Sequence, residues 1–185
     1  MKFTNSLIKG KLLKRYKRFF ADIKVNNKII TAHCPNTGSM QGLLDEGNEV
    51  LVTEHNDPKR KLKFTLEIIK AKKRYVGVNT HRANKIVNHG LENKLISEFK
   101  TIKNIKPEFK FSDDTRFDFL CDSYLIEVKN VTLFRENDIA EFPDAITSRG
   151  TKHLNMLIKS IKKGYKPHVL FLTQIQNINN FRIAK

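Results

Sequence analysis

Apolar positions in the first eighty residues come in short runs that alternate with polar ones. KLLKRYKRFFADIKV (11–25), KIITAHC (28–34), NEVLVTE (48–54), LKFTLEIIKA (62–71) and RYVGVNT (74–80) carry the period-two signature of strands. The segments between them, VNNK, PNTGSMQG, HNDPKRK and KKR, hold Asn, Pro and Gly at turn positions. Five short strands in this length predict a small barrel, and the OB-fold is the five-stranded form.

Past Asn79 the period changes. In HRANKIVNHGLENKLI (81–96), Ile86, Val87, Leu91 and Leu95 recur at helical spacing, with a break expected near Gly90. Strands follow at 108–111, 116–120 and 124–134. A loop then carries Glu136, Asp138, Glu141 and Asp144. SRGTKHLNMLIKSIKKG (148–164) is the strongest helix: Leu154, Leu157, Ile158 and Ile161 form one stripe, and Gly164 and Pro167 mark its end. HVLFLTQI (168–175) reads as a strand buried on both faces. The fold class expected is α+β: an OB-like barrel over 1–80, then an α/β domain over 81–185 with a mixed sheet flanked by helices.

Charge narrows the partners. The net charge is +16, with 17 bases against 7 acids in residues 1–80 and 18 against 12 in the remainder. Such a field attracts polyanions such as DNA or RNA. No apolar run approaches the ~18 residues that cross a bilayer, so no membrane partner is expected. Cys34 and Cys121 fit no disulfide framework or zinc pattern, and reduced thiols in a cytoplasmic protein are the expectation.

The chemistry lies in RFDFLCDSYLIEVKNV. A hairpin turning at Asp122-Ser123 sets Asp118 across from Glu127 and Arg116 across from Lys129, with Phe117, Phe119, Ile126 and Val128 on the core face. Opposed carboxylates destabilise a hairpin, and a divalent cation, Mg²⁺ or Mn²⁺, reverses the sign. Lys129 can orient a water or stabilise charge on a phosphate, and Glu108 can add an oxygen from the preceding strand. This is the Asp…Glu-x-Lys arrangement of PD-(D/E)xK nucleases. The tripeptide alone is uninformative, since Glu-x-Lys recurs at Glu92, Glu98 and Glu108. The competing reading is a solvated hairpin whose Glu–Lys pair contributes a few tenths of a kcal/mol.

Basic residues interleave with aromatics in KGKLLKRYKRFF (9–20), which nominates Arg15, Lys17 and Arg18 as phosphate contacts. The alternative is a basic outer strand with Phe19 and Phe20 in the core. Arg149 and Lys152 can reach phosphate from the start of their helix. PNTGSM, with one glycine and no lysine, reads as a tight turn before a phosphate cradle. His153 has no evident catalytic partner, and no helix-turn-helix is visible.

Taken together, RYKRFFADI, HCPNTGSM, KRKLKFTLEII, VGVNTHRAN, RFDFL, YLIEVKNVTL and FPDAITSRGTKHL resemble the bacterial and archaeal sugar fermentation stimulation proteins, in the same order. The resemblance implies an OB-fold, a PD-(D/E)xK nuclease-like domain, and DNA binding, single- or double-stranded, without strong sequence preference. It implies that Asp118, Glu127 and Lys129 match the nuclease-like motif, with Glu108 a nearby acid, and a link to the regulation of sugar metabolism. Two departures stand out: Thr151 where relatives carry Gln, and a C-terminus that looks shortened after FRIAK. The expected function is low-specificity DNA binding by a cytoplasmic protein; a second hypothesis adds Mg²⁺- or Mn²⁺-dependent phosphodiester cleavage at Asp118, Glu127 and Lys129. The alternative is a non-catalytic transcriptional regulator or RNA-associated protein.

Overall fold

The computed structural model describes residues 3–136 and 138–185. The run 11–25, expected as one strand, is a hairpin of β1 (Leu7–Tyr16) and β2 (Phe20–Val25), with Tyr16 paired to Phe20. The chain reverses at Lys17 and Arg18, which have φ of 47° and 63°. That left-handed region costs a residue with a Cβ roughly 1–2 kcal/mol, so turns of this kind usually carry Gly or Asn. Neither is present, and the apolar pattern therefore reads straight through the turn.

β3 (Lys28–His33), β4 (Glu49–Glu54) and β5 (Phe64–Ala71) complete the barrel. β1 pairs with β4, β4 with β5, and β5 closes on β3 in parallel through Ala32–Phe64 and His33–Thr65. The result is the expected closed five-stranded OB-like barrel. Leu12, Ala21, Ile23, Ala32, Val50, Val52, Leu66 and Ile69 fill it. Gly10 has no room for a side chain, because a Cβ there would lie 2.9 Å from the Lys24 carbonyl oxygen. β6 (Arg74–Gly77) extends the sheet beyond β5.

The remaining elements are α1 (Thr80–Glu92), β7 (Ile105–Ser112), β8 (Thr115–Cys121), β9 (Tyr124–Val131), β10 (Ile139–Phe142), α2 (Ser148–Ile161), β11 (Lys166–Thr173) and β12 (Asn180–Ile183). α1 runs through Gly90 without a break and ends at Glu92. The order β11-β9-β8-β7 makes a mixed sheet with two helices. Ala83, Val87 and Leu91 of α1 pack with Phe119, Cys121, Ile126 and Val128, while Leu157 of α2 packs with Phe117 and Leu125. Packing divides the chain into two compact units: the barrel with Val131–Ala145 and Thr173–Lys185, and Arg82–Asn130 with Ile146–Leu172.

Three local expectations change. The acid-bearing loop contains β10, which pairs in parallel with β12, and Glu141 is buried between Arg135 and Arg182. Among the described residues β11 is an end strand of its sheet, and it is only half-buried along most of its length. α2 is rotated from its apolar stripe: Leu157 is buried, but Leu154, Ile158 and Ile161 are exposed. Its packed face instead runs through Gly150, His153, Leu157 and Ser160.

Candidate functional site

β8 changes face at Asp118. In a regular strand Phe117 and Phe119 would share a side, being two residues apart. Here Phe119 joins the cluster under α1 and Phe117 the cluster under α2. The facing strand does the same, with Ile105 on the first side and Phe109 on the second. Between them Glu108 has φ of 51°, and the flanking pairs are Pro107–Phe119 and Phe109–Phe117.

On the other side of β8 the ladder begins as expected, with Cys121–Tyr124, Leu120–Leu125 and Phe119–Ile126. It stops there, so Asp118 does not sit opposite Glu127 as a ladder pair, nor Arg116 opposite Lys129. Instead the Asp118 carboxylate takes the place of a backbone acceptor: Oδ2 accepts the Val128 N–H at 2.7 Å, and Oδ1 accepts from Asn84 of α1 at 2.7 Å. A side chain that substitutes for a rung opens the two strands at this point.

Glu127 is buried, as the α2 face of β9 is covered rather than wet. Its Oε1 accepts from Lys129 Nζ at 2.7 Å and from His153 Nδ1 at 2.8 Å. The structure thus brings Asp118, Glu127 and Lys129 into one neighbourhood and adds Asn84 and His153, which the sequence reading missed. The signal for His153 was its position one turn before Leu157, on the packed face of α2. For Asn84 it was a place one turn before Val87 on α1.

Burial, first, and the charge of Glu127, second, raise the Asp118 carboxyl above its ordinary range. The bonds from Val128 and Asn84 oppose the rise, and Glu108 adds to it. Hard divalent cations favour carboxylate oxygens, so Asp118 and Glu127 are the neighbouring pair that could hold one. Glu108 is exposed on the facing strand. Among the described residues no group of three or more His, Cys, Asp or Glu is gathered for a metal, so the fit rests on the pair.

Beside this site a cleft of about 590 Å³ is lined by Asp113, Asp114, Arg116, Arg149, Lys152 and His153, with Thr115 and Ser148. Arg149 is exposed there, whereas Lys152 is paired with Asp114 at 2.7 Å. That ammonium, then Ser112 and Thr115, hold the Asp114 carboxyl down at about 2.

In the barrel unit the three basic candidates separate. Lys17 and Arg18 are exposed at the hairpin tip, but Arg15 is a brace, donating to the carbonyls of Arg18 (3.1 Å) and Asn36 (2.7 Å). The PNTGSM loop holds an anion of its own chain: Asp144 Oδ2 accepts the Met40 N–H at 3.1 Å and the Ser39 hydroxyl at 3.2 Å. These contacts tie the loop to the Asp144 segment.

An OB-like barrel in one chain with a mixed-sheet, two-helix domain is a distinctive class, and comparison with known proteins places it. Residues 13–78 match the SfsA N-terminal OB domain, and residues 81–185 match the sugar fermentation stimulation protein RE domain. The chain is 63% identical to a sugar fermentation stimulation protein homolog of Pelagibacter ubique and 42% identical to one of Alteromonas mediterranea. Each match spans the whole chain and 82% of the relative. The structure of Pyrococcus furiosus SfsA in complex with Ca²⁺ superposes with a TM-score of 0.88 at 23% identity, covering 99% of this chain and 79% of that one. The chain belongs to the sugar fermentation stimulation protein family. Among the described residues no helix is long and apolar enough to cross a membrane.

Proposed function

We propose that the chain binds DNA with little sequence preference and hydrolyses phosphodiester bonds at Asp118, Glu127 and Lys129. The observation that carries this reading is the gathering of Asp118, Glu127 and Lys129 at one point of the sheet, with the Lys129 ammonium 2.7 Å from Glu127 and the Glu127 charge helping to raise the Asp118 carboxyl. Asp118 and Glu127 would hold a Mg²⁺ or Mn²⁺ ion, with Glu108 as a further oxygen donor. Such an ion, when bound, acidifies a water and offsets charge on the scissile phosphate. Asn84 fixes the Asp118 carboxylate and His153 fixes that of Glu127. Lys129 supplies positive charge where a phosphorane-like transition state gains negative charge. The Ca²⁺ in the Pyrococcus furiosus relative, a hard cation with the same taste for oxygen, supports a divalent ion here.

Affinity for DNA would come from phosphate neutralisation by the net charge of +16, with Lys17, Arg18 and Arg149 as exposed contacts. Lys152 would join them on release from Asp114. Cleavage assays on single-stranded, duplex and branched DNA with Mg²⁺ or Mn²⁺ test the reading. Wild type should cut, and Asp118→Ala and Lys129→Ala should cut far more slowly. Equal cutting by all three would refute the assignment.

A second reading has its own observation. Asp118 Oδ1 and Oδ2 and Glu127 Oε1 all have protein partners, as in a purely structural polar core. Tight DNA or RNA binding without cleavage by any divalent ion would select this non-catalytic regulator.

A further inference from the structure

The outer face of the barrel's first three strands carries an aromatic strip that the cleavage chemistry does not use. In the β1–β2–β3 register Lys14 pairs with Asp22 and Asp22 with Thr31, while Tyr16 pairs with Phe20 and Phe20 with His33. Ala21 and Ala32, one position off, are fully buried, so the Tyr16–Phe20–His33 row points outward. Tyr16 and Phe20 stack at 5.4 Å between ring centroids, and Phe19 stacks on His33 at 6.5 Å.

Cross-strand aromatic pairs also stabilise ordinary sheets, so the Tyr16–Phe20 pair alone decides nothing. Phe19 is different. It belongs to the turn, it is 44% exposed, and the backbone holds it there. Its N–H donates to the Lys17 carbonyl, its carbonyl accepts from Cys34, and Arg15 grips the Arg18 carbonyl beneath it. An apolar ring is thus presented to solvent by a braced turn that places two basic residues in left-handed backbone.

The surroundings suit a polyanion whose bases are unpaired. Lys17 and Arg18 flank Phe19, Lys14 lies 5.5 Å from the Tyr16 ring, and Ile29, 68% exposed, ends the strip some four residues along β3. That distance is about 13 Å at ~3.3 Å per residue. Asp22, the carboxylate on this face, is occupied by the Thr31 hydroxyl at 2.8 Å and the Tyr16 hydroxyl at 3.3 Å. Burial, then the nearby His81 and Arg60, push the His33 imidazole below its ordinary value, leaving a neutral ring under Phe19 at neutral pH. A duplex hides its base faces in its own stack, whereas a single strand offers them to such rings.

We propose that Phe19, Tyr16, Phe20 and His33 form a stacking platform that makes single-stranded nucleic acid the preferred ligand of the barrel. This rests on the nucleic-acid reading above and sharpens it. Fluorescence anisotropy with a labelled oligothymidylate and a duplex of equal length tests it, on wild type, Phe19→Ala and Phe19→Tyr, each checked for folding by thermal melting. Wild type should prefer the single strand. Phe19→Ala should weaken it about 5- to 100-fold with duplex affinity unchanged, and Phe19→Tyr should retain it. If Phe19→Ala leaves the single strand unaffected, or weakens both ligands equally, the platform is overturned while DNA binding stands. If wild type binds neither ligand, the nucleic-acid reading falls with it.

Discussion

The imidazole of His153 donates from Nδ1 to Glu127 Oε1 at 2.8 Å, on the same oxygen that receives Lys129. The Glu127 carboxylate is thereby held by α2 and β9 together. Residues that orient a metal-ligating group typically change metal affinity by about 10- to 100-fold when removed. His153→Ala should therefore weaken Mn²⁺ binding by that order in titration calorimetry without unfolding the chain. Unchanged affinity would make His153 a packing residue only.

Asp118 should cost the fold stability at neutral pH. Its folded carboxyl titrates above the ordinary 3.8, so the ionised form is disfavoured in the native state. The penalty is absent below the ordinary value, grows as pH rises towards the folded value, and is complete above it. Asp118→Asn keeps an acceptor for the Val128 N–H and removes the charge. Thermal melts should show the variant more stable than wild type at pH 7, with the gain gone near pH 3. Added Mg²⁺ should raise the wild-type midpoint and not that of the variant.

Glu141 behaves in the opposite sense. Arg135 first, against the penalty of burial and with Arg182 assisting, holds its carboxyl at about 2, below the usual 4.5. A depressed folded value adds stability above the unfolded value, and that stability is lost as pH falls from about 4.5 towards 2. Glu141→Gln should lose on the order of 1–3 kcal/mol at pH 7 and show a flatter acid profile over this window. A variant as stable as wild type at pH 7 would mean that the arginines find no use for the charge.

Arg15 and Arg18 should part ways. Arg15→Ala removes the brace between the hairpin tip and Asn36 and should lower the melting midpoint. Arg18→Ala should leave the midpoint alone, weaken DNA binding and reduce the salt dependence by about one counterion. The reverse pattern in melting and salt titrations would overturn these roles.

The barrel was legible because its inner positions alternate over runs with marked turns, as in NEVLVTE and LKFTLEIIKA. The β1–β2 turn was hidden because Lys17 and Arg18 adopt a geometry that their residue types do not announce. The parallel pairing of β10 with β12 joins segments some forty residues apart, beyond any local pattern. At the site, the identities of Asp118, Glu127 and Lys129 could be read from charges inside an apolar hairpin. Their geometry could not, since β8 changes face at Asp118, where the carboxylate accepts the Val128 N–H and the β8–β9 pairing stops. α2 misled for a related reason: hydrophobicity picked Leu154, Ile158 and Ile161, while packing chose the face with Gly150 and His153, where a small residue and a polar contact fit.

The decisive measurement is single-turnover cleavage of labelled DNA with Mn²⁺, comparing wild type with Lys129→Ala at matched DNA occupancy. The account predicts that wild type cuts and that loss of the ammonium slows cutting by about 10²–10³-fold while DNA remains bound. Equal rates for the two proteins, or bound DNA that wild type never cuts with any divalent ion, would contradict it.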